Sequence, residues 1–438
     1  MRIYPTRNLK GDFAVSADKS ISHRALLFAA VSEGESELEN VLLCDDTIAT
    51  ADCLSRLGTG IELGEKGRVR VTPHPFVSSE EELYTANSGT TTRLLAGLLS
   101  GYPIESVLAG DRSLNLRPMK RVIEPLERMG AKIDSLNGMC PLHIHGGGLR
   151  GITYEMPMAS AQVKSAILLA GLHAEGETCV VEKTPSRNHT EIMLKAFGAD
   201  LVTEGNRICV TSKGHMTGRR FEVPGDISTA AFFLAAACVT PGSRITVRGV
   251  GLNPTRTGFL DVLRAMGGKI EISNVREGDE PVGDVTASYG FLKGVEIGGE
   301  IIPRLIDELP IIAVLAAFAE GETVISDAEE LKVKESNRIV SMVTELAKTG
   351  IDIRETEDGM VLSGGYVRGA DFESYGDHRV AMALAVLGLA ADGESTISDA
   401  ECVGVSCPEF WELYKKVGGR ADNSPKPDGT IDCKIYTF

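Results

Sequence analysis

The sequence lacks a surplus of positive charge, and this shortage limits what the protein can bind. Its 438 residues include 45 lysines and arginines against 61 aspartates and glutamates, which gives a formal net charge of −16. A chain this acidic is not expected to bind nucleic acid or an anionic membrane surface. If it binds an anion, its lysines and arginines must be concentrated at one place.

Three further absences bear on the cell compartment. None of the nine cysteines forms a C-x-x-C pair or a cysteine–histidine cluster with zinc spacing, so we expect reduced thiols and no metal site. The longest apolar run, residues 230–239, is too short to span a bilayer. The N-terminal residues have no signal-peptide core. We therefore expect a cytoplasmic protein with no membrane partner.

Several common catalytic signatures are missing as well. The chain has no Walker A sequence, no G-x-S-x-G elbow and no H-E-x-x-H motif. Aromatic residues make up only 5% of the chain, and Trp411 is the single tryptophan. Hydrophobic content of 43% and charged content of 24% are nevertheless typical of a folded protein, and the length suits two or three domains.

Internal repetition is the strongest pattern in the chain. Six predicted helices end at a glycine, which is the expected left-handed cap, at Gly58, Gly130, Gly198, Gly267, Gly350 and Gly418. Their spacing of roughly 70 to 85 residues suits a βαβαββ module. Helices predicted over residues 24–30, 230–237 and 380–387 are apolar nearly all round, so they should be buried. The pattern predicts a mixed α/β (α+β) protein with two domains of three repeats and helices inside the sheets.

Polar clusters stand where the first helix of each repeat should begin. They are Lys19-Ser20 with Arg24, Asn87–Thr90 with Arg93, Ser160–Gln162, Gly225–Ser228, Ile306–Glu308 and Gly376–Arg379. A helix start presents unpaired N–H groups and the positive end of a dipole, and both attract anions. Each cluster alone is also typical of a capped or solvated helix start. If all six converge on one cleft, that cleft suits a ligand with several negative charges.

The most specific cluster is Lys334-Glu335-Ser336-Asn337-Arg338. Because Lys334 and Arg338 are four residues apart, we predict that they share one face of a helix that this cluster opens. Glu335 lies among cations, so it should stay ionised until a substrate changes its surroundings. An exposed Lys-Glu-Arg surface helix is the alternative. The preceding Asp307, predicted to open the first helix of the same repeat, favours a functional role.

Four motifs, in order along essentially the whole chain, resemble the 5-enolpyruvylshikimate-3-phosphate (EPSP) synthase family. They are Lys19-Ser20-Ile21-Ser22-His23-Arg24, Asn87-Ser88-Gly89-Thr90, Lys334-Glu335-Ser336-Asn337-Arg338 and Asp377-His378-Arg379. The resemblance implies two inside-out α/β domains, each of three βαβαββ repeats, with the active site in the interdomain cleft. It places residues 1–16 and 227–438 in one discontinuous domain and residues 17–226 in the other.

The resemblance also implies a reaction. The enolpyruvyl group of phosphoenolpyruvate would be transferred to the 5-hydroxyl of shikimate 3-phosphate, through a tetrahedral intermediate and with release of phosphate. Both substrates carry a phosphate and a carboxylate, as the helix starts require. No metal or organic cofactor is implied. A cytoplasmic monomer of the shikimate pathway is implied, with glyphosate as an inhibitor that competes with phosphoenolpyruvate.

By the same resemblance, Asp307 takes the 5-hydroxyl proton, Glu335 protonates the methylene carbon and later removes that proton, and Lys19 shares the proton transfers. The residues implied to bind shikimate 3-phosphate are Lys19, Ser20, Arg24, Ser160, Gln162, Ser186, Arg187, Asp307 and Lys334. Those implied to surround phosphoenolpyruvate are Lys19, Asn87, Gly89, Arg117, Gln162, Glu335, Arg338, His378 and Arg379.

Three positions depart from the pattern of some family members. No lysine stands shortly before Pro408, which affects one phosphoenolpyruvate contact. Ala161 replaces a second serine and His189 replaces a tyrosine, and both changes touch the shikimate site.

Two other functions remain open at this point. The sister enzyme that transfers enolpyruvyl to UDP-N-acetylglucosamine shares the six-repeat fold, but its cysteine-bearing loop has no counterpart between Leu108 and Pro118. A non-catalytic anion-binding protein could use the same cleft. Asp307 and Glu335 argue against it, because a pure anion binder gains nothing from carboxylates there.

Overall fold

The computed structural model describes residues 1–79 and 81–423, so Cys433 lies outside the described residues. Within them the strands form six four-stranded sheets, and each sheet has one parallel and two antiparallel pairings. In spatial order the strands are Arg220–Glu222, Ser36–Glu39, Val69–Thr72, Gly60–Leu63; Leu83–Tyr84, Glu105–Ala109, Met139–His145, Lys132–Leu136; Thr153–Met156, Glu177–Glu182, Arg207–Thr211, Leu201–Glu204; Lys10–Ala14, Arg244–Gly251, Val282–Ser288, Lys269–Arg276; Glu296–Ile297, Glu322–Ile325, Met360–Ser363, Asp352–Glu355; and Asp371–Glu373, Ser395–Ser398, Arg2–Tyr4, Arg420–Asp422.

Helices connect and support these sheets. The α-helices are Lys19–Ala30, Asp45–Arg56, Gly89–Ser100, Arg112–Asn115, Lys120–Arg128, Ala161–Gly171, His189–Ala196, Ile227–Val239, Gly258–Ala265, Ile302–Leu305, Leu309–Ala317, Arg338–Ala347, His378–Ala390 and Phe410–Lys416. Short 3-10 helices span Glu65–Gly67, Gly299–Ile301, Glu329–Val333 and Ala400–Val405.

The first helix of each repeat is buried, as its sequence predicts. Every residue of Ile227–Val239 and of Leu309–Ala317 is buried, because neither helix has a polar face to give to water. The three helices predicted from the sequence are confirmed, and each extends beyond its predicted bounds. All six predicted cap glycines have positive φ, between 86° and 106°. The mixed α/β class with buried helices is therefore confirmed.

Two separate hydrophobic cores hold these helices. One core draws on residues between 17 and 223, and the other on residues 3–15 together with residues 227–421. The chain passes between the cores at two neighbouring segments. There the Asp18 N–H donates to the Pro224 carbonyl at 2.8 Å, and the Asp226 N–H donates to the Ser16 carbonyl at 2.9 Å. We call the two sides the first lobe (residues 17–223) and the second lobe (residues 3–15 and 227–421).

One local prediction about a helix start is wrong. Lys334 has extended backbone and precedes the helix Arg338–Ala347, so Lys334 and Arg338 do not share a helical face. The helix begins later because the Asn337 side chain caps it, accepting from the Val340 N–H. The cluster Ile306–Glu308 does stand at a helix start as predicted, since Asp307 directly precedes Glu308, the N-cap of Leu309–Ala317, and Pro310 lies in the first turn.

The expectation of uniformly reduced cysteines is also wrong for one pair. Cys179 and Cys209 form a disulfide. They stand opposite each other on antiparallel strands, with their Cα atoms 4.1 Å apart. Among the described residues, no helix combines the length and apolar character needed to cross a membrane.

Candidate active site

One cavity between the lobes collects all sixteen residues that the sequence singled out. We call it the cleft. Each of the six polar clusters contributes to its lining, so the predicted convergence of helix starts is present. His189, which the sequence placed at the shikimate site, also lines the cleft. The sequence assigned no substrate role to several further lining residues, namely Asp46, Thr90, Arg93, Arg121, Asp226, Arg256 and Glu330.

The helix starts themselves are occupied by their own side chains. Asp18, Asp226 and Asp377 each accept a hydrogen bond from a backbone N–H in the first turn of their helices. These carboxylates already satisfy the N-terminal dipoles. The positive charge that the cleft offers an anion therefore comes mainly from lysine and arginine side chains.

Arg24 is an arginine held without a carboxylate partner among the described residues. Its guanidinium donates to Thr190 Oγ1 at 2.7 Å, Ser165 Oγ at 2.8 Å and the Ser20 carbonyl at 2.9 Å. Burial lowers the pKa of Arg24 to about 10, which still leaves it cationic at neutral pH. Oriented by neutral oxygens, Arg24 keeps its charge available for an anionic ligand.

Gly89 opens its helix beside two arginines. A Cβ on Gly89 would lie 2.7 Å from Arg93 Nη1 and 3.5 Å from Arg117 Nη1. Arg93 donates to Gln162 Oε1 at 2.6 Å, and burial lowers its pKa to about 10. Arg117 donates to the Asn87 side-chain oxygen. Only a residue without a side chain leaves these two guanidinium groups free to approach the backbone.

Asp307 is surrounded by cations from both lobes. Arg187 of the first lobe lies 2.7 Å from Asp307 Oδ2, and Arg338 and Lys334 of the second lobe lie 3.3 and 3.7 Å from Oδ1. Arg379 also donates to the Asp307 carbonyl at 3.3 Å. Burial favours the neutral acid, but these cations, Arg187 foremost, hold the pKa of Asp307 well below its usual range.

Glu335 is also paired with cations from both lobes, and it shares Arg338 with Asp307. Its carboxylate lies 2.7 Å from Arg338 Nη2 and 3.9 Å from Arg117 Nη1, so it too joins the lobes. Burial opposes ionisation, and Arg338 is the main cause that keeps the pKa of Glu335 well below its usual range. The expectation that Glu335 is ionised among cations is confirmed by this geometry.

Lys19 and His378 differ sharply in charge. Burial opposes the charge of Lys19, but Asp46 at 2.9 Å raises its pKa above the usual value. Burial, reinforced by Lys19, lowers the pKa of His378 to about 3, so that ring is neutral at neutral pH. Lys19 is therefore positively charged at neutral pH, whereas His378 contributes no positive charge to the cleft.

The loop that carries Ser186 and Arg187 rests on a buried ion network. The Ser186 N–H donates to Glu182 Oε1 at 3.1 Å, and its hydroxyl contacts the same oxygen. Glu182 and Glu191 in turn flank the fully buried Lys164 at 2.9 and 2.7 Å. Ser160, across the cleft lining, caps its helix by accepting from the Val163 N–H at 3.4 Å.

Some of the unassigned lining residues had a sequence signal and others had none. Thr90 and Arg93 belong to a polar cluster that the sequence identified, so their place in the cleft follows from the same pattern. Asp46 and Arg256 lie in segments with no distinguishing motif. Only the long-range packing of the lobes reveals them.

Three comparisons place the chain among known proteins. The sequence profile of one family, EPSP synthase (3-phosphoshikimate 1-carboxyvinyltransferase), matches residues 3–413. A 3-phosphoshikimate 1-carboxyvinyltransferase of Thermoanaerobacter pseudethanolicus is 51% identical over 412 residues, which cover 93% of this chain and 97% of the relative. The enzyme of the same name from Desulforamulus reducens is 49% identical over 422 residues, covering 95% and 98%.

A solved structure gives the same result for the fold. The EPSP synthase of Acinetobacter baumannii superposes with a TM-score of 0.86 at 43% sequence identity, covering 95% of this chain and 98% of that one.

Proposed function

The chain belongs to the EPSP synthase family, and from that premise we propose how its cleft divides the work of the reaction. The protein is a 3-phosphoshikimate 1-carboxyvinyltransferase, which transfers the enolpyruvyl group of phosphoenolpyruvate to shikimate 3-phosphate in the shikimate pathway. The observation that carries the division of roles is the pairing of Asp307 and Glu335 with cations from both lobes.

Shikimate 3-phosphate, in this proposal, lies against the first lobe. Ser20 and Arg24 bind its carboxylate, while Ser160, Ser186, Arg187 and Lys334 bind its phosphate. Arg24 supports this role because it has only neutral partners within hydrogen-bonding distance among the described residues. Lys19 and Gln162 lie between the two substrates.

Phosphoenolpyruvate is proposed to lie between Arg117, Arg338 and Arg379, beside Gly89. Asn87 orients Arg117 by accepting its hydrogen bond, and Asp377 orients Arg338 by accepting from Nε at 2.8 Å. Forked guanidinium groups held in this way suit phosphate and carboxylate oxygens. His378 would be a neutral neighbour of this substrate.

Asp307 is proposed as the base for the 5-hydroxyl. In the free cleft it is a weak base, because Arg187, Lys334 and Arg338 stabilise its charge. A substrate phosphate that attracts Arg187 and Lys334 would weaken this stabilisation and raise the pKa of Asp307. The base would thus gain strength only when its substrate is bound.

Glu335 is proposed to transfer the methylene proton, with Lys19 as its partner. Phosphoenolpyruvate would compete for Arg338 and Arg117, the two cations nearest to Glu335. The pKa of Glu335 would then rise toward the range in which it can hold a proton. Lys19, kept charged by Asp46, stabilises the charge that develops as the tetrahedral centre forms.

Amide variants test these roles. Asp307→Asn and Glu335→Gln keep the size of the side chain but cannot exchange a proton, so kcat should fall by about 100- to 10,000-fold for each. Shikimate 3-phosphate binding, measured by calorimetry, should survive. Loss of binding together with activity, or unchanged turnover in either variant, would contradict the proton-transfer roles.

The competing acceptor can be tested in one assay. Phosphate release from phosphoenolpyruvate should depend on shikimate 3-phosphate and should not be supported by UDP-N-acetylglucosamine. The family match and the relatives do not favour the second acceptor.

Domain division and oligomeric state are further proposals. The two hydrophobic cores support a division into residues 17–226 and residues 1–16 with 227–438. Expression of residues 17–226 alone, which should fold cooperatively, tests it. We also propose that the protein acts as a monomer, and light scattering under assay conditions tests that. Glyphosate inhibition in competition with phosphoenolpyruvate is proposed as well.

A further inference from the structure

A buried histidine–glutamate pair joins the two lobes beside the cleft. His189, the first residue of the helix His189–Ala196, belongs to the first lobe. Glu280 belongs to the second lobe, in the loop between Lys269–Arg276 and Val282–Ser288. His189 Nδ1 and Glu280 Oε1 are 2.6 Å apart, and their side chains are 2% and 3% exposed.

Glu280 is itself fixed by a second contact. Its other oxygen accepts from Asn253 Nδ2 at 2.9 Å. The same Asn253 amide donates to Asn188 Oδ1 at 2.8 Å, and Asn188 directly precedes His189. The Asn188 N–H donates to Thr255 Oγ1 at 3.3 Å. Residues of the second lobe therefore fix both the backbone at Asn188 and the ring of His189.

The other nitrogen of the His189 ring is unused. Nε2 is buried and has no hydrogen-bond partner among the described residues, although His189 lines the cleft. Because Glu280 accepts the proton on Nδ1, the rotation of the ring is fixed and Nε2 is aimed in one direction. A buried polar atom without a partner is rare and calls for a ligand.

The surroundings indicate which substrate supplies that partner. His189 follows Ser186 and Arg187 in one loop, and its neighbour Thr190 accepts from Arg24 Nε at 2.7 Å. Ser186, Arg187 and Arg24 are proposed above to bind shikimate 3-phosphate. Among the described residues, none of the groups proposed for phosphoenolpyruvate alone forms a hydrogen bond or ion pair with His189 or Glu280.

We propose that Glu280 is a positioning residue for shikimate 3-phosphate: from the opposite lobe it orients His189 so that Nε2 contacts this substrate. The inference rests on the proposed assignment of the shikimate site. Its consequence is that binding of this substrate depends on contact between the lobes, whereas binding of phosphoenolpyruvate does not depend on Glu280.

A double-mutant cycle on the full chain tests the proposal. Calorimetry gives the Kd of shikimate 3-phosphate, and steady-state kinetics give both KM values and kcat. Glu280→Ala should raise the Kd of shikimate 3-phosphate by about ten-fold and change the KM of phosphoenolpyruvate by less than about two-fold. In the His189→Ala background, Glu280→Ala should have no further effect, because Glu280 acts through His189. Additive effects would overturn the proposal.

Asp279→Ala is the matched control. Asp279 adjoins Glu280 and also joins the lobes, through an ion pair with Arg219 at 2.6 Å, but it does not line the cleft. It should leave the Kd unchanged. An increase equal to that of Glu280→Ala would mean that any lost contact between the lobes weakens binding, which would overturn the role of His189.

A replacement variant and the wild-type measurement distinguish failure of this inference from failure of the proposed shikimate site. If Glu280→Ala does not fold, Glu280→Gln replaces it, and a rise in Kd in the wild-type background that vanishes with His189→Ala supports the proposal. An equal rise in both backgrounds contradicts it. Wild-type protein that fails to bind shikimate 3-phosphate would instead refute the proposed shikimate site. Wild-type binding with an unaffected Glu280→Ala would refute this inference alone.

Discussion

Asp307 and Glu335 lie in the same cleft as seven lysine and arginine side chains that the sequence had already singled out, and this surplus of cations shapes the behaviour of single residues. Each carboxylate is ionised because guanidinium groups approach within 2.7 Å. An overall acidic protein thus concentrates positive charge where an anion must bind. Individual positions in the cleft then decide which anion fits.

Gly89→Ala should separate inhibitor from substrate. The added Cβ would lie 2.7 Å from Arg93 Nη1, the mobile end of a long side chain, so the protein should fold while the guanidinium groups shift. Glyphosate has a longer chain between its anionic groups than phosphoenolpyruvate, so it should lose more. We expect the ratio of Ki for glyphosate to KM for phosphoenolpyruvate to rise by about ten-fold, or about 1.4 kcal/mol.

Inhibition assays on both proteins measure this ratio. Gly365→Ala, at a position where a Cβ meets nothing within 4 Å, should leave it unchanged. Equal glyphosate inhibition of Gly89→Ala and wild type would remove the assignment of Gly89.

His23 should make stability depend on pH. Burial lowers the pKa of His23 to about 3, against 6.5 for an exposed histidine. Between these values the unfolded chain binds a proton that the folded protein does not, so stability falls as the pH falls from about 6.5 toward 3. One such group contributes a slope of about 1.4 kcal/mol per pH unit. Urea unfolding at several pH values should show a shallower slope for His23→Leu, and an identical slope would contradict the assignment.

The sequence predicts single residues well where a motif marks them. Lys19, Arg24, Gly89 and Arg338 stand in recognisable clusters, and all of them line the cleft. The neutrality of His378 could not be predicted, because it depends on complete burial next to Lys19. The same holds for the disulfide, since Cys179 and Cys209 are 30 residues apart in sequence and meet only through strand pairing.

At the scale of elements, glycines end the second helix of every repeat. The six positive φ values explain why the same residue recurs, since other residues rarely adopt this backbone conformation. Repeat length and helix ends could therefore be predicted from the sequence alone. Helix starts were harder: Lys334 has extended backbone although it lies only three residues before Asn337, the cap of Arg338–Ala347.

Gly350→Ala isolates the effect of backbone conformation. Gly350 has φ of 89°, and a Cβ there meets nothing within 4 Å, so only the left-handed conformation is penalised. We expect the free energy of unfolding to fall by about 1 kcal/mol.

Gly365→Ala is the matched control for this variant. A Cβ at Gly365 also meets open space, but its φ lies outside the left-handed region. It should be neutral or slightly stabilising, because alanine restricts the unfolded chain. Equal losses in urea unfolding for the two variants would contradict the explanation.

At the scale of the whole molecule, Arg256 stabilises both chain segments that connect the lobes, residues 16–18 and residues 224–226. Its guanidinium lies 2.9 Å from Asp18 and 3.2 Å from Asp226, the caps of two helices that begin at these segments. Its side chain is 3% exposed. Arg256 alone raises no signal in the sequence, because its partners are 238 and 30 residues away.

Arg256→Leu should destabilise the protein strongly. It removes the cation that pairs with three buried carboxylates, those of Asp18, Asp226 and Glu308, so the free energy of unfolding should fall by about 3–5 kcal/mol. Arg256 is the main group that lowers the pKa of Asp18 against the effect of burial, and a lowered carboxylate pKa stabilises the fold only above the unfolded value. The deficit should therefore shrink as the pH falls below about 4.

Urea unfolding at neutral and acid pH measures both effects. Arg264→Leu is the control, since Arg264 is exposed and, among the described residues, pairs only with Asp261 at 3.4 Å. It should cost less than about 1 kcal/mol. An equal decrease in the free energy of unfolding for the two variants would show that the ion pairs of Arg256 do not stabilise the segments that connect the lobes.

The pairing of Arg2–Tyr4 with strands far along the sequence determines when its sheet can form during translation. Among the described strands, Arg2–Tyr4 is translated first, whereas its sheet neighbours Ser395–Ser398 and Arg420–Asp422 are translated last. At 5–20 residues per second, this segment waits roughly 20 to 80 s for its partners. The nascent first lobe can be complete long before then, so a chaperone or protease that meets the growing chain encounters a finished lobe together with the unpaired strand Arg2–Tyr4.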